Sequence, residues 1–384
     1  MRVNVVGIGM TPQGRSPYGP GELISQAATA ALRDAGVDPE RVSLILVSNA
    51  LGGLLNDQEC IRGQAWLLGA GLGSTHVVNI DNGCAGGSAA LHLGYLAALA
   101  GSGPVLIAGV EKMWTGDRGA TLNGIENCLT AEERPRLRAD VAGNSGSVFM
   151  GMNAKWAMHQ LTERGHTIEQ FAATVVKSRR HGALNPLAQR RELVTAEEVL
   201  ASPTVQEPLT RLMCSSFTDG AAAIVLDTDV PGAPAIRASV ARSGDTSSDY
   251  HSRLAEVAKV VYDAAGLGPG DIDVVELHDA ATSEELYALE CLGFYDEGEA
   301  GVATLGGETT FGGTIVVNPS GGLMSRGHPI GATGVAQVVE IVTQLRGAAG
   351  DRQVVGARRG MTVNTGGIIE GDVGAVVAHV FERS

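Results

Sequence analysis

Residues 30–50 read AALRDAGVDPERVSLILVSNA, and residues 260–280 read VVYDAAGLGPGDIDVVELHDA. The two stretches align without a gap at a constant offset of 230 residues. Each pattern predicts the end of a helix, an Ala-Gly stop, a turn with one proline, and a buried strand. The predicted strands cover residues 44–48 and 274–278. A chain that repeats this unit is predicted to be an α/β protein built from two similar halves.

A second, weaker correspondence lies further along each half. Residues 82–101, NGCAGGSAALHLGYLAALAG, align with residues 326–347, RGHPIGATGVAQVVEIVTQLRG. In both, a glycine-rich turn precedes an apolar helix, and a further strand follows. Cys84 and His328 then stand at the starts of two equivalent helices. Because helix starts and strand ends meet on one face of an α/β sheet, we expect both side chains at a common site.

The segment between the two halves has a different composition. Residues 112–208 hold most of the charge and predict an inserted loop region that is mostly helical and lies on the surface. A predicted strand at 219–227 closes the first half, and the sequence PGAP at 231–234 is typical of a short linker. We therefore expect two halves, residues 1–232 and 233–384.

Composition and charge exclude several classes of protein. The 384 residues are 44% hydrophobic and carry a formal net charge of −14, which disfavours a nucleic acid or an anionic membrane as partner. No apolar run reaches the ~18 residues of a membrane span, and no signal-peptide pattern opens the chain. Five cysteines without a C-x-x-C pair indicate reduced thiols and no metal site. We expect a globular, cytoplasmic protein.

Cys84 is the first candidate for chemistry. It lies in DNGCAGGSAAL, between an extended run at 76–80 and an apolar helix. A tight turn at a helix start exposes the side chain, and the helix dipole lowers the pKa of a thiol there. The alternative is a buried cysteine that acts as a small hydrophobe. The remaining cysteines lack such a turn and are interpreted as structural: Cys60, Cys128, Cys214 and Cys291.

Two histidines are further candidates for chemistry. His278 ends a predicted buried strand, where it can donate a proton to a ligand or can be a structural histidine. His328 lies in NPSGGLMSRGHPIGATG, a loop whose Gly, Asn and Pro content favours chemistry over packing. The sequence has neither a phosphate-binding G-x-x-x-x-G-K-[ST] nor a strand-linked G-x-G-x-x-G, which disfavours nucleoside triphosphates and dinucleotides as ligands.

These motifs together resemble the thiolase superfamily, in particular its sterol-carrier-protein-type and archaeal-type members. The resemblance covers essentially the whole chain, and the most specific motif is the one at 318–334. It implies a five-layered αβαβα fold of two βαβαβαββ halves with an inserted loop region. It also implies an acyltransferase that forms an acyl-cysteine and takes an acyl-CoA or an acyl-carrier thioester as substrate. It further implies no tightly bound cofactor, a role in lipid metabolism, and a homodimer.

The resemblance also implies roles for single residues. Cys84 is the nucleophile, His328 is the base that activates its thiol, and His278 helps to hold the thioester oxygen of the second substrate. The peptide N–H of Cys84 forms an oxyanion hole with Gly366. The same alignment places three further residues at the pocket: Ala280, Asn318 and Asn364.

The chain departs from the family at two positions. The family's HD-x-F reads HDAA at 278–281, so neither the phenylalanine nor the cysteine that archaeal-type members have at position 280 is present. A second family motif, C-x-G, here begins with Asn364. Because no second catalytic cysteine remains, we expect decarboxylative condensation or acyl transfer to oxygen or nitrogen. Loss of the phenylalanine at Ala281 is expected to enlarge the pocket.

Two further expectations concern partners. The alternative function is a retro-aldol lyase or a scaffold subunit that works with a small zinc-ribbon/OB-fold protein that binds the acyl-CoA. Retention of both Cys84 and His328 argues against a pure scaffold. The basic segment at 177–191 offers Arg179 and Arg180 to the phosphates of coenzyme A, or is a solvated loop face.

Overall fold

A computed structural model describes residues 1–141 and 147–383. Residues 142–146 of the expected insertion and Ser384 lie outside the described part. The strands are β1 Val3–Met10, β2 Leu44–Ser48, β3 His76–Ile80, β4 Val105–Glu111, β5 Thr204–Gln206, β6 Leu209–Thr210, β7 Gly220–Thr228, β8 Ala235–Arg242, β9 Val274–Glu276, β10 Val316–Val317, β11 Arg359–Ile369 and β12 Asp372–Glu382.

Helices connect these strands and cover both faces of the sheet. They are α1 Pro20–Ala35, α2 Gly52–Asn56, α3 Arg62–Trp66, α4 Gly86–Leu99, α5 Arg118–Glu126, α6 Glu133–Val141, α7 Val148–Glu163, α8 Ile168–Leu184, α9 Ala196–Ala201, α10 Tyr250–Ala265, α11 Thr282–Cys291, α12 Ala300–Leu305, α13 Gly322–Ser325 and α14 Thr333–Leu345. None of the described helices is long and apolar enough to cross a membrane.

Ten strands form one sheet whose order reflects the internal repeat. The order is β10-β9-β11-β12-β8-β1-β7-β4-β2-β3, and the short strands β5 and β6 pair separately. The order on one side of the β8–β1 junction mirrors the order on the other, and only Asn4 and Ala235 pair across it. Residue 232 lies in the turn between β7 and β8. The division of the chain into two units at that point stays a prediction.

Alternating side chains place helices in three layers around the two parts of the sheet. Leu106 and Ala108 of β4 pack with α1, whereas Val105 and Ile107 face the layer that holds α4 and α14. In the second half, the buried face of β12 packs with α10 and α11. The five-layered αβαβα arrangement is therefore confirmed, with α4 and α14 as its central layer.

The two central helices pack unusually close together. A Cβ atom added at Gly334 would lie 2.3 Å from Ser88 Oγ and 2.4 Å from Ser88 N. Only glycine permits this approach. It brings the start of α4, just after Cys84, next to the start of α14, just after His328.

The inserted region differs from its prediction in one respect. It is mostly helical as expected, but α8 lies in the interior, with Phe171 and Val175 fully buried. The Lys177 ammonium pairs with the buried Glu285 carboxylate of α11. The surface position expected for this segment is therefore wrong, because its apolar face packs against the second half and its lysine has a buried partner.

Candidate active site

A cavity of about 470 Å³ opens where both halves meet the inserted helices. Six of the predicted site residues line it: Cys84, Arg179, His278, Ala280, His328 and Gly366. The rest of the wall is largely apolar, with side chains that include Met113, Leu122, Ile125, Phe149, Met150, Trp156, Leu212, Phe217, Ile330 and Ile368. Such a wall suits an acyl chain or the pantetheine arm of a thioester.

Cys84 stands on a tight turn that the sequence builds from glycine. Gly83 has φ of 53°, and α4 starts two residues after Cys84. A Cβ at Gly366 would lie 2.5 Å from Ala85 N, so glycine lets β11 run directly against this turn. Burial, and then the nearby Cys128, raise the pKa of the Cys84 thiol well above its usual value. The lowered pKa expected from the helix start is wrong, because the loss of water outweighs the helix dipole.

His328 is held in one tautomer by its neighbours. Thr333 Oγ1 donates to the carbonyl of Pro329 at 3.0 Å and therefore accepts a proton from His328 Nδ1 at 2.7 Å. This leaves the Nε2 lone pair of His328 free to act as a base. Burial, together with the charges of His278 and Arg326, lowers the pKa of His328 well below its usual value. The imidazole is therefore neutral at physiological pH.

His278 is oriented by a carboxylate. Its Nδ1 lies 2.9 Å from Glu284 Oε2, which also accepts from the backbone N–H of Ala280 at 3.1 Å. The other oxygen of Glu284 accepts from Asn153 Nδ2 at 2.8 Å. His278 Nε2 is buried and has no hydrogen-bond partner among the described residues. Its ring stands edge-on to that of His328, with centroids 5.2 Å apart.

These three side chains converge on one point of the cavity wall. Cys84 Sγ and one ring nitrogen each of His278 and His328 lie within 4.8 Å of one another. Within residues 1–141 and 147–383, they are also the one group of three His, Cys, Asp or Glu side chains close enough to share a metal ion. The expectation of no metal stays a prediction. A thiol beside two imidazoles is the arrangement of a cysteine nucleophile with its base.

Two protein-family models match the chain. The model of the thiolase N-terminal domain matches residues 3–229, and that of a thiolase C-terminal domain-like region matches residues 239–379. The chain belongs to the thiolase family. The predicted class, an enzyme of the thiolase acyltransferase type, is confirmed.

Several characterised thiolase relatives extend over nearly the whole chain. The acetyl-CoA acetyltransferase of Methanothermobacter thermautotrophicus is 37% identical over 94% of this chain and 94% of its own length. The benzoylsuccinyl-CoA thiolase subunit BbsB of Thauera aromatica is 33% identical, with 95% of each chain covered. Human sterol carrier protein 2 is 33% identical over 95% of this chain and 70% of its own length.

Solved structures share the thiolase fold. The Ltp2-ChsH2(DUF35) aldolase has a TM-score of 0.82 at 22% identity, covering 100% of this chain and 98% of that chain. The acetyl-CoA acetyltransferase from Syntrophomonas wolfei has a TM-score of 0.69 at 20% identity, covering 100% and 99%. At these identities the likeness concerns the fold alone.

Some residues expected at this thiolase site do not line the cavity. The Oδ1 atom of Asn318 instead accepts a hydrogen bond from Leu277 N at 2.7 Å, and its Nδ2 donates to Glu285 at 3.0 Å. Strand β9 ends at Glu276, two residues earlier than predicted, and the backbone N–H of Leu277 bonds to this side chain. Asn364 is fully buried within β11 and does not reach the cavity wall. Their placement at the pocket is therefore wrong, because both side chains are used or enclosed inside the fold.

Two further expectations are corrected by the fold of the site. Arg180 is exposed and does not line the cavity, because consecutive positions of α8 point in different directions and only buried Arg179 faces the cavity. Ala281 packs in the core of the second half, so the missing phenylalanine does not enlarge the cavity there.

Sequence reasoning missed several residues of the site. Glu284 and Thr333 hold the two histidines, and Tyr250 Oη lies 2.7 Å from Thr365 Oγ1. The contact of Glu284 with His278 could have been predicted from the sequence, since a carboxylate in the first turn of the helix that follows His278 can reach back to it. No sequence pattern indicated Tyr250. Further unpredicted lining residues are Arg118, Cys128, Arg190, Arg211 and Cys214, so two cysteines interpreted as purely structural also face the cavity.

Proposed function

We propose that this chain transfers acyl groups from coenzyme A thioesters through an acyl thioester on Cys84. The observation that carries the proposal is the convergence of Cys84 Sγ with the ring nitrogens of His278 and His328 within 4.8 Å, in the wall of an acyl-sized cavity. Relatives named acetyl-CoA acetyltransferase and benzoylsuccinyl-CoA thiolase support a coenzyme A thioester as substrate.

The acylation step follows from the two neutral partners. His328 Nε2 takes the thiol proton as Cys84 Sγ attacks the thioester carbon, because neither group carries a charge at rest. The tetrahedral oxyanion is held by the peptide N–H of Cys84 together with Gly366, at the start of α4. Collapse expels the coenzyme A thiolate, which takes the proton from His328.

The acceptor step lacks the usual cysteine. Ala280 and Asn364 occupy both positions at which family members have it. In the function proposed, the acceptor is a carboxylated thioester that loses CO2, or an oxygen or nitrogen nucleophile. Loss of CO2 generates the carbanion without a base, so a carboxylated acceptor needs neither of the missing cysteines.

Arginines support coenzyme A as the leaving group. Among the described residues, four arginines line the cavity although the chain is acidic overall: Arg118, Arg179, Arg190 and Arg211. Arg179 is buried, its Nε has no hydrogen-bond partner in the described structure, and its closest carboxylate is exposed Glu192 at 3.7 Å. We assign this side of the cavity to the phosphates.

Arg179 and Arg180 form a matched pair for a test of this assignment. Arg179→Ala is expected to raise the acyl-CoA KM roughly 10-fold or more, because it removes a charged hydrogen-bond donor. Arg180→Ala, one residue away but outside the cavity, is the control and should leave the KM unchanged. Steady-state kinetics would refute the phosphate role if the two variants had the same KM as the wild type.

A homodimer is part of the same proposal. Strand β3 is an edge of the ten-stranded sheet, and His76 is exposed while the other residues of the strand are only half-buried. Leu93, Leu96 and Leu99 of α4 are each more than a third exposed, which favours a covered surface. Light scattering would exclude the dimer if the protein were monomeric at micromolar concentration. A role in lipid metabolism and a cytoplasmic location stay predictions.

Turnover tests the function and its alternative together. With a panel of acyl-CoAs, Cys84→Ala is expected to abolish transfer, because no acyl-enzyme can form. The alternative is a lyase or scaffold that needs a small zinc-ribbon/OB-fold partner. Activity that persists in Cys84→Ala, or appears only when such a partner is added, would favour that alternative.

A further inference from the structure

The two histidines of the site have different supports. His328 Nδ1 is hydrogen-bonded to the hydroxyl of Thr333, which carries no charge, whereas His278 Nδ1 is hydrogen-bonded to the carboxylate of Glu284. Both contacts use Nδ1, so both histidines direct Nε2 away from their support. The difference in charge predicts different tasks for the two rings.

Glu284 is fixed in place from three elements. It lies in the first turn of α11, and it accepts from His278, from Ala280 N and from Asn153 of α7. The amide of Asn153 is itself oriented, because Ser283 Oγ donates to Asn153 Oδ1 at 3.1 Å. Asn153 therefore presents its N–H groups to Glu284.

Glu284 is also the only acidic side chain among the described residues that line the cavity. Two other buried acids, one in α11 and one in β9, have cations: Glu285 pairs with Lys177, and Glu276 pairs with Arg326. No lysine or arginine of the described chain forms an ion pair with Glu284, and its one partner of that kind is His278. A buried carboxylate without a cation of its own stabilises the positive charge of a neighbouring imidazolium when one forms during a reaction.

In the tautomer that has its proton on Nδ1, His278 has a free lone pair on Nε2. Cys84 supplies one S–H, which His328 Nε2 takes during acylation. His278 donates its own proton to Glu284 through Nδ1, and its Nε2 has no partner among the described residues. A neutral imidazole in this tautomer accepts a proton from the acceptor substrate and cannot donate to its oxygen.

We propose that the His278–Glu284 pair removes the proton of the acceptor substrate, in place of the cysteine that this chain lacks. His278 is the catalytic base and Glu284 its positioning residue. The inference rests on the acyl-Cys84 intermediate of the proposed function and deepens it. It adds unactivated acyl thioesters, which carry no carboxylate to lose, to the class of acceptors.

The step balances without any further reactant. His278 Nε2 takes a proton from the carbon next to the acceptor thioester, and the C–H electron pair forms an enolate. The enolate carbon bonds to the acyl carbon on Cys84, the C–S bond breaks, and its electron pair stays on Sγ. The proton on His278 then returns to Sγ, which lies within 4.8 Å of a ring nitrogen. Glu284 stabilises the imidazolium while it exists.

Hydrogen exchange separates this step from acylation. The wild type in D2O is expected to introduce deuterium next to the carbonyl of a bound acyl-CoA, and mass spectrometry of the recovered thioester measures the rate. Glu284→Gln keeps the shape of the side chain and is expected to slow exchange at least about 100-fold, the scale of general base catalysis. Acyl-Cys84 formation in the same variant should stay within about 3-fold of the wild type.

Thr333→Val supplies the opposite variant. It removes the support of His328, so acyl-Cys84 formation should fall while exchange is retained. Glu297→Gln, at a largely exposed glutamate, controls for the substitution itself and should change neither rate. A general loss of structure would reduce both reactions in the same variant, whereas each of these two variants is expected to lose only one of them.

Three results would overturn the proposal. They are a wild type that is acylated but exchanges no deuterium, a Glu284→Gln variant that exchanges at the wild-type rate, and equal loss of both reactions in Glu284→Gln. A different result would show that the proposed function, and not the base, is wrong. If deuterium exchange depended on Glu284 but the protein formed no acyl-Cys84, the role of His278 as base would be supported and the covalent intermediate would be refuted.

Discussion

Cys84 and His328 face each other as a neutral thiol and a neutral imidazole. Burial raises the pKa of the thiol and lowers that of the ring, so a resting thiolate–imidazolium pair is disfavoured from both sides. In the proposed acylation, the thiol therefore loses its proton in the same step in which it attacks the substrate. This differs from cysteines activated by a permanent positive charge.

The pH dependence of alkylation follows from this neutral pair. The rate at which iodoacetamide modifies Cys84 should keep rising from pH 7 to beyond pH 9, because the thiolate becomes populated only above the usual thiol range. Peptide mass analysis measures it separately for Cys84 and for exposed Cys60, which should react faster at neutral pH. A Cys84 rate that levels off below pH 7 would contradict the neutral pair.

Single residues were predictable where the backbone demanded a special residue. Cys84 and His328 stand in glycine-rich turns, and these turns indicated without any contact information that both side chains lie at one site. Glu284 and Tyr250 belong to ordinary helical segments, and their roles depend on contacts across the fold. Asn318 and Asn364 were placed wrongly, because an alignment gives a position but not the direction of a side chain.

At the scale of elements, the central helices α4 and α14 set the distance between Cys84 and His328. Gly334→Ala should destabilise the protein by roughly 1–3 kcal/mol, because the added methyl group meets the backbone of Ser88. It should also slow acylation, since Cys84 and His328 precede these helices. Denaturant unfolding and acylation kinetics measure both effects.

An exposed glycine provides the control for that substitution. A Cβ at Gly270 would have no heavy atom within 4 Å, so Gly270→Ala should change the free energy of unfolding by no more than about 0.5 kcal/mol. If Gly334→Ala were equally neutral, close packing of α4 and α14 would not be what fixes the site.

Repeated elements were predicted well, and the inserted ones less so. Strands at 44–48 and 76–80 have the predicted bounds, because short apolar runs between turn signals identify a buried strand. Helix α8 was expected at the surface because its sequence is basic. Lys177 of this helix pairs with the buried carboxylate of Glu285, 108 residues further along the chain, and no local sequence pattern indicates such a partner.

At the scale of the whole molecule, a buried histidine joins the two halves. His379 of β12 contacts the carbonyl of Ser88 in α4 at 3.2 Å and Ser239 of β8 at 2.9 Å. Burial and the nearby His92 lower the pKa of His379 to about 3. The folded protein therefore keeps His379 neutral, whereas the unfolded chain protonates it near pH 6.5.

Acid should weaken the contribution of His379. Because the unfolded state binds the extra proton, this stabilisation is fully present above pH 6.5 and is lost as the pH falls towards 3. The stability difference between the wild type and His379→Gln should shrink by about 2 kcal/mol from pH 7.5 to pH 5. Phe381→Leu, a buried variant of the same strand that does not titrate, should show a constant difference in denaturant unfolding. A constant difference for His379→Gln would contradict the lowered pKa.

The fold as a whole was predictable because the chain repeats itself, and two short aligned segments were sufficient to indicate two α/β halves. The composition of the site was only partly predictable, since its cavity is built from both halves and from inserted helices that have no counterpart in the repeat. Contacts between such distant segments depend on packing, which a single sequence does not encode locally.

The covalent intermediate is the central claim, and the mass of the intact protein tests it most directly. After brief incubation with a panel of acyl-CoAs and acid quenching, the wild type should gain the mass of one acyl group, located on the Cys84 peptide. Cys84→Ala should gain none. An unmodified wild type, or an adduct of equal amount in Cys84→Ala, would contradict the account.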